Sequence, residues 1–180
     1  MYTFSGNITD SSLIDDFGYT ESAMRLFKEN YQVEGNIKDL ILTSDEIRDK
    51  WQTFKVDNVT NMVKMMSQAI KEANPNMMIS AAVMSSLSGA IQTYAQDFGT
   101  WIKEGYVDNL DPMIYSGSNA YVLSRMESFI ETVNGDANIV IGISPDNSGG
   151  NVITISEQIE LISKSVSYTH LRAHETVLDL

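Results

Sequence analysis

The chain has 180 residues, 43% of them apolar, with 12 Lys and Arg against 24 Asp and Glu for a formal charge of −12. That length and apolar content suit one globular domain rather than a disordered chain, and the acidic balance argues against nucleic-acid and anionic-membrane partners. No run reaches the ~18 apolar residues of a membrane span, and the absence of cysteine excludes a disulfide framework, a thiolate metal site and a cysteine nucleophile.

Residues 1–16 are polar and without periodicity, which predicts loop. Ala23, Met24, Leu26, Phe27 and Tyr31 recur at helical spacing and predict a helix over 20–31. Residues 36–42 are ambiguous. Thr43 with Glu46 three residues on reads as a capping box, opening a helix with Ile47, Trp51 and Phe54 on one face. A second helix is expected from Asp57, with Val59, Met62, Val63, Met66, Ile70 and Ala73 inward, until Asn74-Pro75-Asn76 stops it. The methionines Met62, Met65, Met66, Met77 and Met78 read as core filler. Residues 77–84 form a continuous apolar run, which predicts a strand buried on both faces of a parallel sheet. A helix is predicted over 88–104, a strand over 107–115 interrupted by Pro112, and a helix over 121–133 closed by Asn134-Gly135. A third strand over 138–143 follows, then a Gly149-Gly150 loop and a helix over 153–163.

The predicted strands begin near 77, 108 and 138, and each is followed by a helix. A repeat of about 31 residues is that of an eight-unit β/α barrel. No Gly-rich fingerprint follows any strand, which disfavours a dinucleotide-binding doubly wound sheet. The expected fold class is α/β, a partial TIM-type barrel holding roughly its second half without the last strand.

Residues 165–176, Ser-Val-Ser-Tyr-Thr-His-Leu-Arg-Ala-His-Glu-Thr, look like a translated transposase-type sequencing adapter, with Asp179-Leu180 matching its continuation. Residues 1–164 are therefore expected to be a barrel fragment and 165–180 an artefact tail. His170 and His174, spaced like a helical metal pair, fall in that tail and are set aside. The rest of the chain has neither His nor Cys. No metal and no cofactor are expected, and any chemistry must come from carboxylates, hydroxyls, amides and aromatics.

An ordered set of motifs resembles the glycosyl-hydrolase-like family-10 domain. It runs through Asp16-Phe17-Gly18-Tyr19, then Trp51-Gln52-Thr53-Phe54-Lys55 with Val59-Thr60, then Ile70-Lys71 and Asn74-Pro75 before Ile79-Ser80-Ala81-Ala82-Val83. Gln96-Asp97-Phe98, Trp101, Gly105, Asp108 and Pro112-Met113-Ile114-Tyr115 form the most specific block, and Ile141-Gly142-Ile143 follows. Lys55 and Phe98 stand where that family more often has Arg and Trp. The resemblance implies a β/α barrel, glycoside hydrolysis, a glycan partner and a secreted or cell-envelope parent. An Asp-Tyr-x-Arg-Tyr-Pro-like strand, expected just before Asp16 in that family, has no counterpart in 1–15.

Glycoside hydrolysis generally uses two carboxyl groups, and barrel active sites gather at the C-terminal ends of the strands. Those two rules single out Asp111 as the catalytic candidate and Ser80, Met113, Tyr115 and Asn119 as substrate-binding candidates, with Ser144 and Asp146 after the third strand. Asp111 is either a carboxyl turned toward the barrel mouth or a strand-end Asp bonded to backbone. Tyr115 either meets a sugar with its ring and hydroxyl or is a half-buried core Tyr. Asp97 reads as a surface residue, Trp101 as packing, and Asp15-Asp16 as a cap for the helix that follows. Three functional readings remain open: a glycoside hydrolase acting on cell-wall or exopolysaccharide glycans, a non-catalytic carbohydrate-binding barrel, and unrelated chemistry on a shared fold.

Overall fold

The computed structural model describes residues 17–144 and 152–165. The predicted N-terminal loop, Asp146, Gly149-Gly150 and the tail with its two histidines lie outside them. Helix α1 (Glu21–Tyr31) begins where Thr20 accepts the Ala23 N–H on its hydroxyl at 3.2 Å. The ambiguous stretch is a short helix, α2 (Ile37–Thr43), capped by Asn36.

The capping box is off by one residue. Thr43 ends α2 and donates its hydroxyl to the Asp39 carbonyl, while Ser44 accepts from the Ile47 N–H and opens α3 (Asp45–Ala73). Glu46 does not reach back, because Lys50 one turn on holds its carboxylate at 2.6 Å. The two predicted helices are one element of 29 residues. Nothing between Phe54 and Asp57 is Gly or Pro, so no residue supplies a break. Asn74-Pro75 does end it, with Asn74 accepting the Asn76 N–H. The first half of α3 packs on α1 and α2 through Phe27, Ile37, Ile41, Trp51 and Phe54. Phe27 meets Trp51 and Phe54 edge-on, and Tyr19 stacks on Trp51 at 5.2 Å.

Three parallel strands follow in the order β1 (Ser80–Met84), β2 (Asn109–Met113), β3 (Asn138–Ile139). Ser80 pairs with Asn109 and Asn109 with Asn138, a spacing of 29 residues in each case. Pro112 explains why β3 is so short. Even-numbered residues of β2 face β3, with Leu110 and Pro112 carbonyls accepting from Val140 and Gly142. Pro112 has no N–H to return, so the ladder lapses and resumes, in the same register, at Met113 and Gly142.

The 88–104 helix is two, α4 (Leu87–Tyr94) and α5 (Phe98–Lys103). Ala95 takes a left-handed φ of 55°, and the Gln96 N–H returns to the Ala90 carbonyl, closing α4. Gln96 Oε1 then accepts the Met84 N–H, and Asp97 caps α5. Helix α6 (Asn119–Val133) follows β2, capped by Ser118, and α7 (Val152–Ser165) follows β3. The C-terminal half of α3, with α4, α5 and α6, covers one sheet face around Val83, Phe98, Trp101, Leu110, Phe129 and Ile139. A smaller cluster of Ile114, Val122, Met126 and Ile162 joins α6 to α7.

Three burial expectations are corrected. The first strand starts at Ser80, not at 77, and Ser80 and Ala82 are exposed, so it is buried on one face only. The methionines are not core filler: Met62, Met65, Met66, Met77 and Met78 are all exposed, Met65 by 69%. The inward stripe of α3 runs instead through Val56, Val59, Val63, Ser67 and Ile70, which rotates Met62, Met65 and Met66 outward. Asp97, expected at the surface, is 6% exposed, with both carboxylate oxygens engaged by Thr100. Trp101 packs as expected and donates its indole N–H to Thr60 Oγ1.

Candidate functional site

Leu110 and Ile114 point into the helix-facing core, so by strand alternation Asn109, Asp111 and Met113 share the opposite face. The register sets Ser80, Ala82 and Met84 of β1 beside them. That face carries no helix among the described residues. Asp111 lies in its middle, opposite Ala82, with its Oδ1 buried. It is the only ionisable side chain on the three strands.

The two ends of this face differ. At the N-terminal end Asn109 Nδ2 donates to Ser80 Oγ at 3.0 Å, and Asn138 Nδ2 donates to Asn109 Oδ1 at 2.9 Å. Below that ladder Asp108 Oδ2 accepts from Lys71 Nζ and from the Ile79 N–H, both at 2.8 Å. Burial raises the Asp108 pKa, but the Lys71 hydrogen bond, the Ile79 N–H and the Lys71 charge outweigh it and leave the carboxyl below its usual range. Ser80 therefore belongs to a structural ladder and not to the strand exits. Four residues of strand, roughly 13 Å, separate it from the level of Met84 and Met113.

The C-terminal end holds Met113 and, just beyond β2, Tyr115, with Gly142 beside Met113. Tyr115 is 48% exposed. A Cβ on Gly142 would lie 3.4 Å from Tyr115 Cε1 and 3.3 Å from the Pro112 carbonyl oxygen. The missing side chain is what lets the ring lie against β3. Behind Tyr115, the Ser116 carbonyl accepts from Gln158 Nε2 at 2.8 Å, and Asn119 Nδ2 donates to Glu157 Oε2 at 2.7 Å. Gln158 Oε1 and Asn119 Oδ1 are buried with no hydrogen-bond partner among the described residues. Asn119 is thus committed to α7 through its amide nitrogen.

Gly142, Glu157 and Gln158 were not among the sequence candidates. Gly142 interrupts an apolar run between Ile141 and Ile143, a mark of close backbone approach. Gln158 stands on the inward stripe with Ile155 and Ile162, a polar residue where the period calls for an apolar one.

An open groove of about 260 Å³ runs beside Asn119 along Glu157, Glu160, Leu161 and Lys164. It lies on the helix layer, away from Asp111. The hydrogen bond from Lys164, and then its charge, hold the Glu160 carboxyl below its usual range, the wrong direction for a general acid. Among the described residues no three His, Cys, Asp or Glu side chains cluster to hold a metal ion, and no helix is long and apolar enough to cross a membrane.

The model of the family described as glycosyl hydrolase-like 10 matches residues 8–156. No curated protein matches the chain.

Proposed function

Because the chain belongs to the glycosyl hydrolase-like 10 family, we propose that it is part of a β/α barrel that hydrolyses glycans, with Asp111 as one of the two reacting carboxyl groups. The observation that carries this is the position of Asp111, which among the described residues is the lone ionisable group on the strands and lies on a sheet face without a helix, four residues before the exposed ring of Tyr115. Around a barrel that face is the interior, and Tyr115 stands at its mouth. Asp111 would protonate the leaving oxygen or attack the anomeric carbon. Tyr115 would stack on a sugar ring and offer its hydroxyl, and Met113 would pack beside it. The second carboxyl group and the remaining strands would come from sequence outside this chain. Cell-wall or exopolysaccharide glycans are the proposed substrates, which implies a secreted or envelope-bound parent.

A second reading, glycan binding without turnover, is favoured by one fact: the described strands carry a single carboxylate. The extended gene product, assayed against a panel of reporter glycosides and in parallel for glycan binding, separates the two. Hydrolysis abolished by Asp111→Asn supports the enzyme. Binding with no turnover by the unsubstituted protein supports the second reading, and neither activity refutes both.

A further inference from the structure

Adjacent residues of α7, Glu157 and Gln158, grip the connection between β2 and α6 at its two ends. Gln158 is fully buried and donates to the Ser116 carbonyl across 42 residues of chain. Glu157 accepts from Asn119 across 38. Between these anchors the connection is folded on itself: Ser116 Oγ accepts the Ser118 N–H at 3.1 Å, and Ser118 Oγ accepts the Tyr121 N–H at 3.3 Å. The segment 116–121 is therefore tied internally by these two hydrogen bonds and externally by two more. Tyr115 is the residue immediately before it.

We infer that Gln158 is a positioning residue for Tyr115, acting through the Ser116 carbonyl. On its N-terminal side the backbone of Tyr115 is held by the sheet, where the Ile114 N–H donates to the Gly142 carbonyl at 2.8 Å. On its C-terminal side the buried Gln158 amide holds it at the Ser116 carbonyl, and the ring between has Gly142 on one side and solvent on the other. The bond is part-buried, and a carbonyl that loses its donor there turns outward to find water, so removing the Gln158 N–H releases the segment after Ile114 toward solvent and takes the Tyr115 ring with it. The anchors also link the loop after β2 to the helix after β3, so the two strand exits move together. The link to glycan binding rests on the proposed role of Tyr115; the loop restraint does not.

The test uses the full chain with Gln158→Met, which keeps length and loses the hydrogen bond, and Glu157→Gln, which still presents an oxygen to Asn119. Hydrogen exchange is followed in the peptide covering 114–120, with the α1–α3 peptides as internal control. Gln158→Met should raise exchange of that peptide on the order of tenfold, the size set by one net hydrogen bond, and leave the control unchanged. Glu157→Gln should stay within about twofold. If Gln158→Met does not fold, Asn119→Ala cuts the outer anchor, and its exchange should rise by several-fold. Unchanged exchange in folded Gln158→Met, or in Asn119→Ala where that variant stands in for it, overturns the inference. Glycan affinity is read alongside. Loss in Gln158→Met that is not deepened by adding Tyr115→Ala supports positioning of Tyr115. Raised exchange with unaltered affinity overturns that link. If the unsubstituted chain binds no glycan, the role given to Tyr115 fails, and the exchange result alone decides whether Gln158 positions the loop.

Discussion

Removing the Asp108 carboxylate should loosen the start of the sheet by a predictable amount. Its Oδ2 accepts two hydrogen bonds at 2.8 Å, one from Lys71 at the end of α3 and one from the Ile79 N–H that leads into β1. A hydrogen bond to a charged group contributes about 1.5–3 kcal/mol in protected surroundings. Here both side chains are about one-third exposed, at 33% and 35%, so solvent screening places the pair at the low end. Asp108→Ala should therefore cost roughly 1–2 kcal/mol, and Asp108→Asn, which keeps an acceptor for Ile79, about half of that. In urea, with a slope of about 2 kcal/mol per M, the alanine variant should unfold at a midpoint lower by roughly 0.5–1 M. The pH dependence has a fixed sign. A carboxyl whose folded pKa is depressed contributes its stability fully above the unfolded value, near 4, and loses it as pH falls through the lower folded value. The gap between the native chain and Asp108→Asn should thus be widest at neutral pH and close in strong acid. Lys71→Met and Asp108→Asn should be non-additive. A midpoint unchanged within error, strict additivity, or a gap that widens in acid would refute the reasoning.

Three further outcomes follow from particular contacts. Asp97→Ala removes the cap of α5 and should cost ~1–2 kcal/mol by chemical denaturation, with Asp97→Ser recovering about half. Gly142→Val drives a side chain into the Pro112 carbonyl and the Tyr115 ring, and should cost about 1–3 kcal/mol and change the tyrosine near-UV circular dichroism. Met65→Gln with Met66→Gln replaces outward-facing apolar surface, so the melting temperature should move little while concentration-dependent light scattering falls.

The parts of the fold legible in sequence are those with a local physical signature. Thr20 before an apolar period, Asn74-Pro75 after one, Asn134-Gly135 at a left-handed turn and the recurrence of strand-helix units all announce themselves within a few residues. The departures have tertiary causes. Thr43 and Ser44 are equally good caps alone, and the turn of α2 decides between them. The break at Ala95 exists because Gln96 is needed at the Met84 N–H, twelve residues earlier in the chain. Periodicity could not orient the methionines of α3, since Met62 and Met66 flank the stripe of Val59 and Val63 closely enough to read as part of it, and only the packing shows them turned out. The candidate site divides in the same way. Met113 and Tyr115 are readable from their place at and after a strand end, and Asp111 as the carboxyl within an apolar strand. Ser80 was set at the wrong end because the apolar run at 77–79 looks like strand and is loop. Glu157 and Gln158 act from a helix some forty residues away, and only the fold brings them to Ser116 and Asn119.

The most direct measurement is the kinetic comparison of Asp111→Asn with the unsubstituted protein across a panel of reporter glycosides. Asparagine keeps the shape of the side chain and removes the carboxyl group that would donate the proton or attack the anomeric carbon. The account predicts a fall in kcat of roughly a hundred- to ten-thousandfold with KM little altered. Equal turnover by Asp111→Asn would contradict it.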